Sequence, residues 1–174
     1  MGKVRLVDAL VLAVIALVSV VVILNVLGPS SYVDEFGVGK PAPNFQLETP
    51  EGELVELAKF KGKVVVLDFF ATWCEPCVAE VKHLKEIYKE FKDSIVIISI
   101  DIREDPKRVL DFMKSHGIEW IVVIDKDGKV ASKYKVTAIP TIVVIDKEGK
   151  VALFRIGLMG SKQLREAIKK ALGE

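Results

Sequence analysis

The chain's two cysteines stand three positions apart, in Trp73-Cys74-Glu75-Pro76-Cys77, and the residues on either side limit what can be built around them. Before them runs Lys63–Phe70, where Val64, Val65, Val66, Leu67, Phe69 and Phe70 are apolar. So short an apolar run reads as a buried strand. After them, Val81, Leu84, Ile87, Tyr88 and Phe91 recur at helical spacing with charges between, which predicts a helix over Ala79–Phe91. The pair therefore lies at a strand-to-helix junction. There the first cysteine meets free N–H groups and the positive end of the helix dipole, which stabilise a thiolate. The second falls one turn on, on the same face and within disulfide reach. Pro76 suits a first turn, where no N–H is needed. A two-residue loop constrains little chain, so the spacing fits a dithiol switch better than a structural crosslink. Two cysteines are too few for a disulfide scaffold or a Cys-only zinc site, and further metal ligands are hard to find.

The rest of the chain predicts an α/β domain. Phe45–Leu47 and Leu54–Leu57 flank Pro50-Glu51-Gly52, a hairpin signal. Ile95–Ile100 reads as a second buried strand with Asp101 at its end. Asp105 and Pro106 begin a helix with Val109, Leu110 and Met113 inward, and Gly117 ends it. Ile121–Ile124 is a strand, followed by a turn over Lys126–Lys129. Thr141–Ile145 and Val151–Ile156 form a second hairpin, and Ser161 caps a last helix through Leu164, Ile168 and Leu172. The order implies a mixed sheet with helices on both faces.

Ahead of the domain, Ala9–Leu27 is a run of 19 residues without a charge, broken only by Ser19 and Asn25. As a helix it spans about 28 Å, close to a bilayer's hydrocarbon core. Lys3 and Arg5 precede it, and the first charges beyond are Asp34 and Glu35. The positive-inside rule places the N-terminus in the cytoplasm and the domain outside a cell membrane crossed once. A signal peptide is the competing reading, against which stand the run's length and the lack of a clean cleavage site. The divisions expected are an anchor over 1–28, a linker over 29–38 and the domain over 39–174. The anchor accounts for the chain's 51% hydrophobic content; without it the fraction falls to about 46%, ordinary for a globular domain. Charge is balanced, 25 basic against 24 acidic residues, which gives no reason to expect a nucleic-acid partner.

The segment Val65-Val66-Leu67-Asp68-Phe69-Phe70-Ala71-Thr72-Trp73-Cys74-Glu75-Pro76-Cys77 resembles the active-site strand and motif of thioredoxin-fold proteins. The opening Gly39-Lys40-Pro41-Ala42-Pro43-Asn44-Phe45 and the extra helix–strand unit around 105–124 resemble the membrane-anchored TlpA/ResA group. The resemblance covers residues 39–172. It implies a thioredoxin-like fold with an N-terminal hairpin and an inserted helix–strand unit, behind one transmembrane helix. It also implies an extracytoplasmic thiol-disulfide oxidoreductase acting on disulfide-bearing proteins, for instance in cytochrome c maturation. No bound cofactor or metal is expected. The electron donor implied is a membrane protein of the CcdA type, and the chain is expected to act as a monomer.

Residue by residue, Cys74 matches the attacking thiol and Cys77 the resolving one. Glu75 and Pro76 between them are expected to tune the potential. Ala138-Ile139-Pro140-Thr141 matches the family's cis-proline segment, which implies that Ile139 offers its backbone to an extended substrate. Trp73 would shield the dithiol and shape the docking surface. Asp68 interrupts an apolar strand, where a charge is costly unless partnered or functional. Burial would raise its pKa and make it a candidate base for Cys77. Aspartate here resembles thioredoxin; the TlpA/ResA group more often has asparagine. Glu80, three residues past Cys77, matches a glutamate of the ResA-like members. His83 and His116 read as structural or surface residues.

Three other classes compete. A peroxiredoxin shares the Ala42-Pro43-Asn44-Phe45 opening but wants threonine three residues before its cysteine, where this chain has Ala71. A Sco-type copper module needs one more residue between the cysteines and a distant histidine, and no histidine follows His116. A DsbA-type oxidase is the runner-up to a reductase with a potential below about −200 mV.

Overall fold

A computed structural model of the chain describes residues 9–20 and 36–174. Residues 9–20 are helical and exposed throughout. The rest of the expected anchor, with its flanking charges and residues 29–35 of the expected linker, lies outside the described residues. Among the described residues no helix is long and apolar enough to cross a membrane.

Residues 36–174 are built from β1 (Gln46–Glu48), β2 (Leu54–Glu56), a 3-10 turn (Leu57–Phe60), β3 (Val64–Phe70), α1 (Glu75–Phe91), β4 (Ile95–Ile102), α2 (Pro106–His116), β5 (Ile121–Asp125), α3 (Lys129–Lys133), β6 (Thr141–Ile145), β7 (Val151–Ile156) and α4 (Ser161–Leu172). The sheet order is β2-β1-β5-β4-β3-β6-β7. The β3-β4-β5 pairs are parallel and the others antiparallel. This is the expected thioredoxin-like α/β fold with its mixed sheet, N-terminal hairpin and inserted α2–β5 unit.

Every residue of β3 is buried because it lies inside the sheet with both faces covered. Strand alternation then divides it. Val64, Val66 and Phe70 face a layer formed by Leu84 and Ile87 of α1, Val109 and Phe112 of α2, and Leu164 and Ile168 of α4. Val65, Leu67 and Phe69 face Phe36, Phe45, Val130 and Tyr134. Helices thus cover both faces unequally: α1, α2 and α4 share one, and only short α3 and the 3-10 turn serve the other. Tyr134 fills that thinner layer. It is fully buried, its ring lies 5.1 Å from Phe36 and 5.4 Å from Phe69, and its hydroxyl donates to Pro43 O at 2.7 Å. Phe36 falls in the expected linker, so the folded domain reaches at least to this residue. The segment after it lies along the start of β7: Val151 N–H donates to Lys40 O at 2.9 Å, Gly39 N–H to Val151 O at 2.8 Å, and Pro41 bridges Lys150.

Other differences are local. Helix α1 begins at Glu75, four residues before the expected start, because Cys74 itself caps it. Strand β4 continues to Ile102, so Asp101 is buried inside it and not at its tip. In α2 the buried residues are Val109 and Phe112; Leu110 and Met113 flank that stripe and are half-buried. Ser161 is the first residue of α4, not its cap, which is Gly160 without a side-chain bond. Helix α3 was not predicted; its five residues are too few to show a period.

Candidate active site: the dithiol at the head of α1

Strand β3 delivers the chain to a short loop, Ala71-Thr72-Trp73, and Cys74 then takes the N-cap position of α1 with extended backbone (φ −84°, ψ 103°). Cys74 and Cys77 are joined as a disulfide, with Cα atoms 5.2 Å apart. Cys77 N–H donates toward Cys74 Sγ at 3.3 Å, so a first-turn amide is aimed at this sulfur. On reduction that donor and the dipole favour thiolate at Cys74. Pro76 sits in the first turn, where it removes no helical hydrogen bond. Glu75 is exposed. Cys77 is the deeper sulfur residue, 2% exposed against 5% for Cys74.

Two carboxyls are buried on the face of the sheet that carries α1. Asp68 pairs with Ser99 in the parallel β3–β4 register, and Ser99 Oγ donates to Asp68 Oδ2 at 2.8 Å while accepting Trp120 Nε1–H at 2.9 Å. Burial pushes Asp68 up to about 7, against the lowering effect of that bond. Glu80 is fully buried on α1, and its Oε1 accepts Met159 N–H at 3.1 Å. Burial, reinforced by repulsion from Asp68, pushes Glu80 up to about 8, with the Met159 bond opposing it. Asp68 Oδ1 and Glu80 Oε2 are buried with no hydrogen-bond partner. Both shifts bring carboxyl ionisation toward neutrality inside the fold. Neither is a solvated surface charge.

The Ile139–Pro140 bond is cis. Pro140 immediately precedes β6, whose Thr141 pairs with Phe69, so proline and dithiol lie at the same end of the sheet. Pro140 O accepts Gly157 N–H at 2.7 Å, and Ile139 is half-buried against both core layers. Trp73 is 67% exposed, unusual for so large an apolar group, and stands directly before Cys74. His116 stacks on Phe112 with centroids 4.1 Å apart, and His83 is half-buried on α1; neither joins the dithiol. Among the described residues no group of three or more His, Cys, Asp or Glu side chains is placed to hold a metal ion.

Sequence reasoning missed three polar residues here. Ser99 and Trp120 complete the environment of Asp68. Glu104, in the loop after β4, accepts from both Thr72 N–H (2.5 Å) and Thr72 Oγ1–H (2.8 Å). A signal for Ser99 exists: it is the one polar residue within Ile95–Ile100. Glu104 carries none, being one of several charges between Asp101 and Arg108.

Known proteins match this architecture. Residues 38–154 match the AhpC/TSA family. The chain is 37% identical over 144 residues to thiol-disulfide oxidoreductase ResA of Bacillus cereus, covering 82% of this chain and 83% of that protein. It superposes on the solved thiol:disulfide interchange protein of the thioredoxin family from Chlorobium tepidum with a TM-score of 0.70 and 30% identity, over 76% of this chain and 96% of that one. It also superposes on StoA from Bacillus subtilis with a TM-score of 0.63 and 27% identity, over 72% and 96% of the two chains. With its CxxC disulfide at the head of α1, the chain belongs to the AhpC/TSA family and, within it, to the ResA-like thiol-disulfide oxidoreductases.

Proposed function

We propose that this oxidoreductase works as a membrane-anchored reductase of disulfides in extracytoplasmic proteins. The observation that carries the direction is the pair of buried carboxyls, Asp68 and Glu80, near the dithiol. A strong oxidant needs its thiolate stabilised by its surroundings. Here the helix N-terminus favours thiolate, but two acidic groups oppose it as they ionise, and no lysine or arginine among the described residues bonds to either. The balance raises the cost of the thiolate and makes the dithiol a better electron donor.

In the cycle, Cys74 thiolate attacks one sulfur of a substrate disulfide. A mixed disulfide forms and the first substrate sulfur leaves as thiolate. Cys77 thiol gives its proton to Asp68 or Glu80, and its thiolate attacks Cys74 Sγ. The second substrate sulfur leaves, and the Cys74–Cys77 disulfide remains. Two electrons and two protons from a donor dithiol restore the starting state, and a membrane protein of the CcdA type fits that role. Trp73, directly before Cys74, and Ile139 and Pro140, at the same end of the sheet, serve as the substrate contact. Glu75 and Pro76 adjust the potential. No bound cofactor takes part, and the chain acts as a monomer.

The anchor reading is supported by residues 9–20, which form a helix whose Leu10, Leu12 and Leu17 are all more than half exposed, and by Lys3 and Arg5 before it. Equilibration with glutathione or dithiothreitol tests the direction: a potential below about −200 mV is expected, and one near −120 mV would make the protein an oxidase. Protease access in intact cells tests the topology, with the domain expected to be cut only from outside.

A further inference from the structure

Thr72 lies two residues before Cys74, and its grip by Glu104 closes a small circuit. Arg108 Nε donates to Glu104 Oε1 at 2.9 Å and to Thr72 Oγ1 at 2.8 Å, while the threonine hydroxyl donates to that same Glu104 oxygen. Glu104's side chain is only 7% exposed although it stands in a loop. Burial opposes its ionisation, yet the bonds from Asp101 and Thr72, with Arg108, outweigh it and hold the carboxyl below the usual range. Glu104 is therefore a charged acceptor at neutral pH.

The loop that carries it is held from several sides. Arg103 adopts φ +69°, which an L residue rarely takes, and this turn directs the following residue back toward β3. Its N–H donates to Asp125 O at 3.3 Å, at the end of β5, and its guanidinium to Asp127 O at 3.2 Å, in the turn that follows. Asp101 Oδ1 accepts Glu104 N–H at 3.0 Å. Asp105 then caps α2 through Lys107 N–H at 2.9 Å. Strained backbone persists only where its surroundings over-determine it, and here they bring one carboxylate to one backbone amide.

We propose that Glu104 is a positioning residue for the dithiol: by fixing Thr72 it sets where Trp73 and Cys74 stand at the head of α1. The inference rests on the oxidoreductase reading of this site. Trp73 is exposed and has no core packing of its own, and Cys74, though buried, is an N-cap whose approach is set by the short loop from Ala71 through Thr72. Release of Thr72 loosens that loop. The placement of Trp73 and the alignment of Cys74 Sγ with the Cys77 amide then drift together.

The test uses the full chain and three variants: Glu104→Ala, Glu104→Gln and Thr72→Val. Readouts are kcat/KM for a protein disulfide, the Cys74 thiolate titration of the reduced protein by ultraviolet absorbance, and the melting temperature. Glu104→Ala is expected to lose about tenfold in kcat/KM, since small misplacements of reacting groups cost rate steeply. It should also shift the Cys74 titration upward as the sulfur leaves the Cys77 amide. Glu104→Gln retains an acceptor for Thr72 N–H and is expected to recover most of both. Thr72→Val keeps its N–H and should fall between. Wild-type kinetics and titration in Glu104→Ala would overturn the proposal, as would Glu104→Gln behaving like Glu104→Ala. If Glu104→Ala does not fold, Thr72→Val with a wild-type melting temperature decides: unchanged kinetics and titration overturn the proposal. A wild-type protein that reduces no disulfide would instead sink the oxidoreductase reading itself.

Discussion

Ser99 and Asp68 face each other across the parallel β3–β4 pair, and the serine hydroxyl donates to Asp68 Oδ2 at 2.8 Å. Trp120 Nε1–H completes the chain by donating to the same hydroxyl at 2.9 Å. Ser99→Ala strands a buried carboxyl oxygen and a buried indole N–H together. We expect it to cost about 1–3 kcal/mol, the usual penalty for an unsatisfied buried group. Urea unfolding with an unchanged slope measures this; a loss below about 0.5 kcal/mol would mean water or repacking satisfies both groups.

Asp68 holds its proton more tightly in the fold, with a pKa of about 7, than in an unfolded chain, at about 3.9. Its contribution to stability is full below about pH 4 and is lost as pH rises through about 7. Asp68→Asn cannot ionise. Relative to wild type the variant should gain roughly a few kcal/mol between pH 4 and pH 8. Parallel stability profiles across that range would show that Asp68 ionises as freely in the fold as outside it.

For Glu80 the informative quantity is the rate at which the mixed disulfide resolves. Its carboxyl becomes a base only above about 8, so the wild-type rate should rise through that pH. Glu80→Gln should remove the upper rise and slow resolution by about 10²-fold, the low end for general-base loss. A rise that survives in Glu80→Gln and vanishes in Asp68→Asn would assign the base to Asp68 alone.

Cys77→Ser should accumulate a mixed disulfide between Cys74 and substrate, seen as an adduct that dithiothreitol releases. Cys74→Ser should give none, because Cys77 is the more deeply buried of the two. Equal trapping by both variants would reverse the assignment of attacking and resolving thiols.

Trp73 is exposed enough that its loss should barely move the melting temperature. Trp73→Ala should nonetheless weaken reduction of protein disulfides, by about 1–2 kcal/mol in kcat/KM, as for an aromatic contact at an interface. Reduction of a small aromatic disulfide reagent serves as the control and should change far less. An equal loss on both would mean that Trp73 supports Cys74 and not the substrate.

What was legible in the sequence was local chemistry. Asp68 announced itself as a charge in an apolar strand, and Cys74, Pro76 and Cys77 as a thiol at a helix N-terminus, a first-turn proline and a partner one turn on. Pro140 stood out only through the company of the cysteine motif. What was not legible depends on register. Ser99 meets Asp68 because β3 and β4 align residue for residue across 31 positions of chain, and no short-range pattern encodes that offset. Glu104 reaches Thr72 through a backbone turn at Arg103, a residue type that does not advertise a positive φ. Phe36 looked like linker because glycines follow it, yet Tyr134, almost a hundred residues away, supplies its packing surface.

The segment along β7 bears on how such a protein survives its own substrates. A thiol-disulfide oxidoreductase that acts on proteins would meet partly extended polypeptides, and an open sheet edge invites them to pair with it. At one edge β2 is three residues long and carries Glu56. At the other, Gly39–Ala42 already occupies the start of β7, and beyond it the exposed Arg155 puts a charge on what remains. Short length, a preceding segment and charge all discourage adventitious strand addition. What is left open to an extended chain is the end of the sheet that holds Pro140 and the sulfurs.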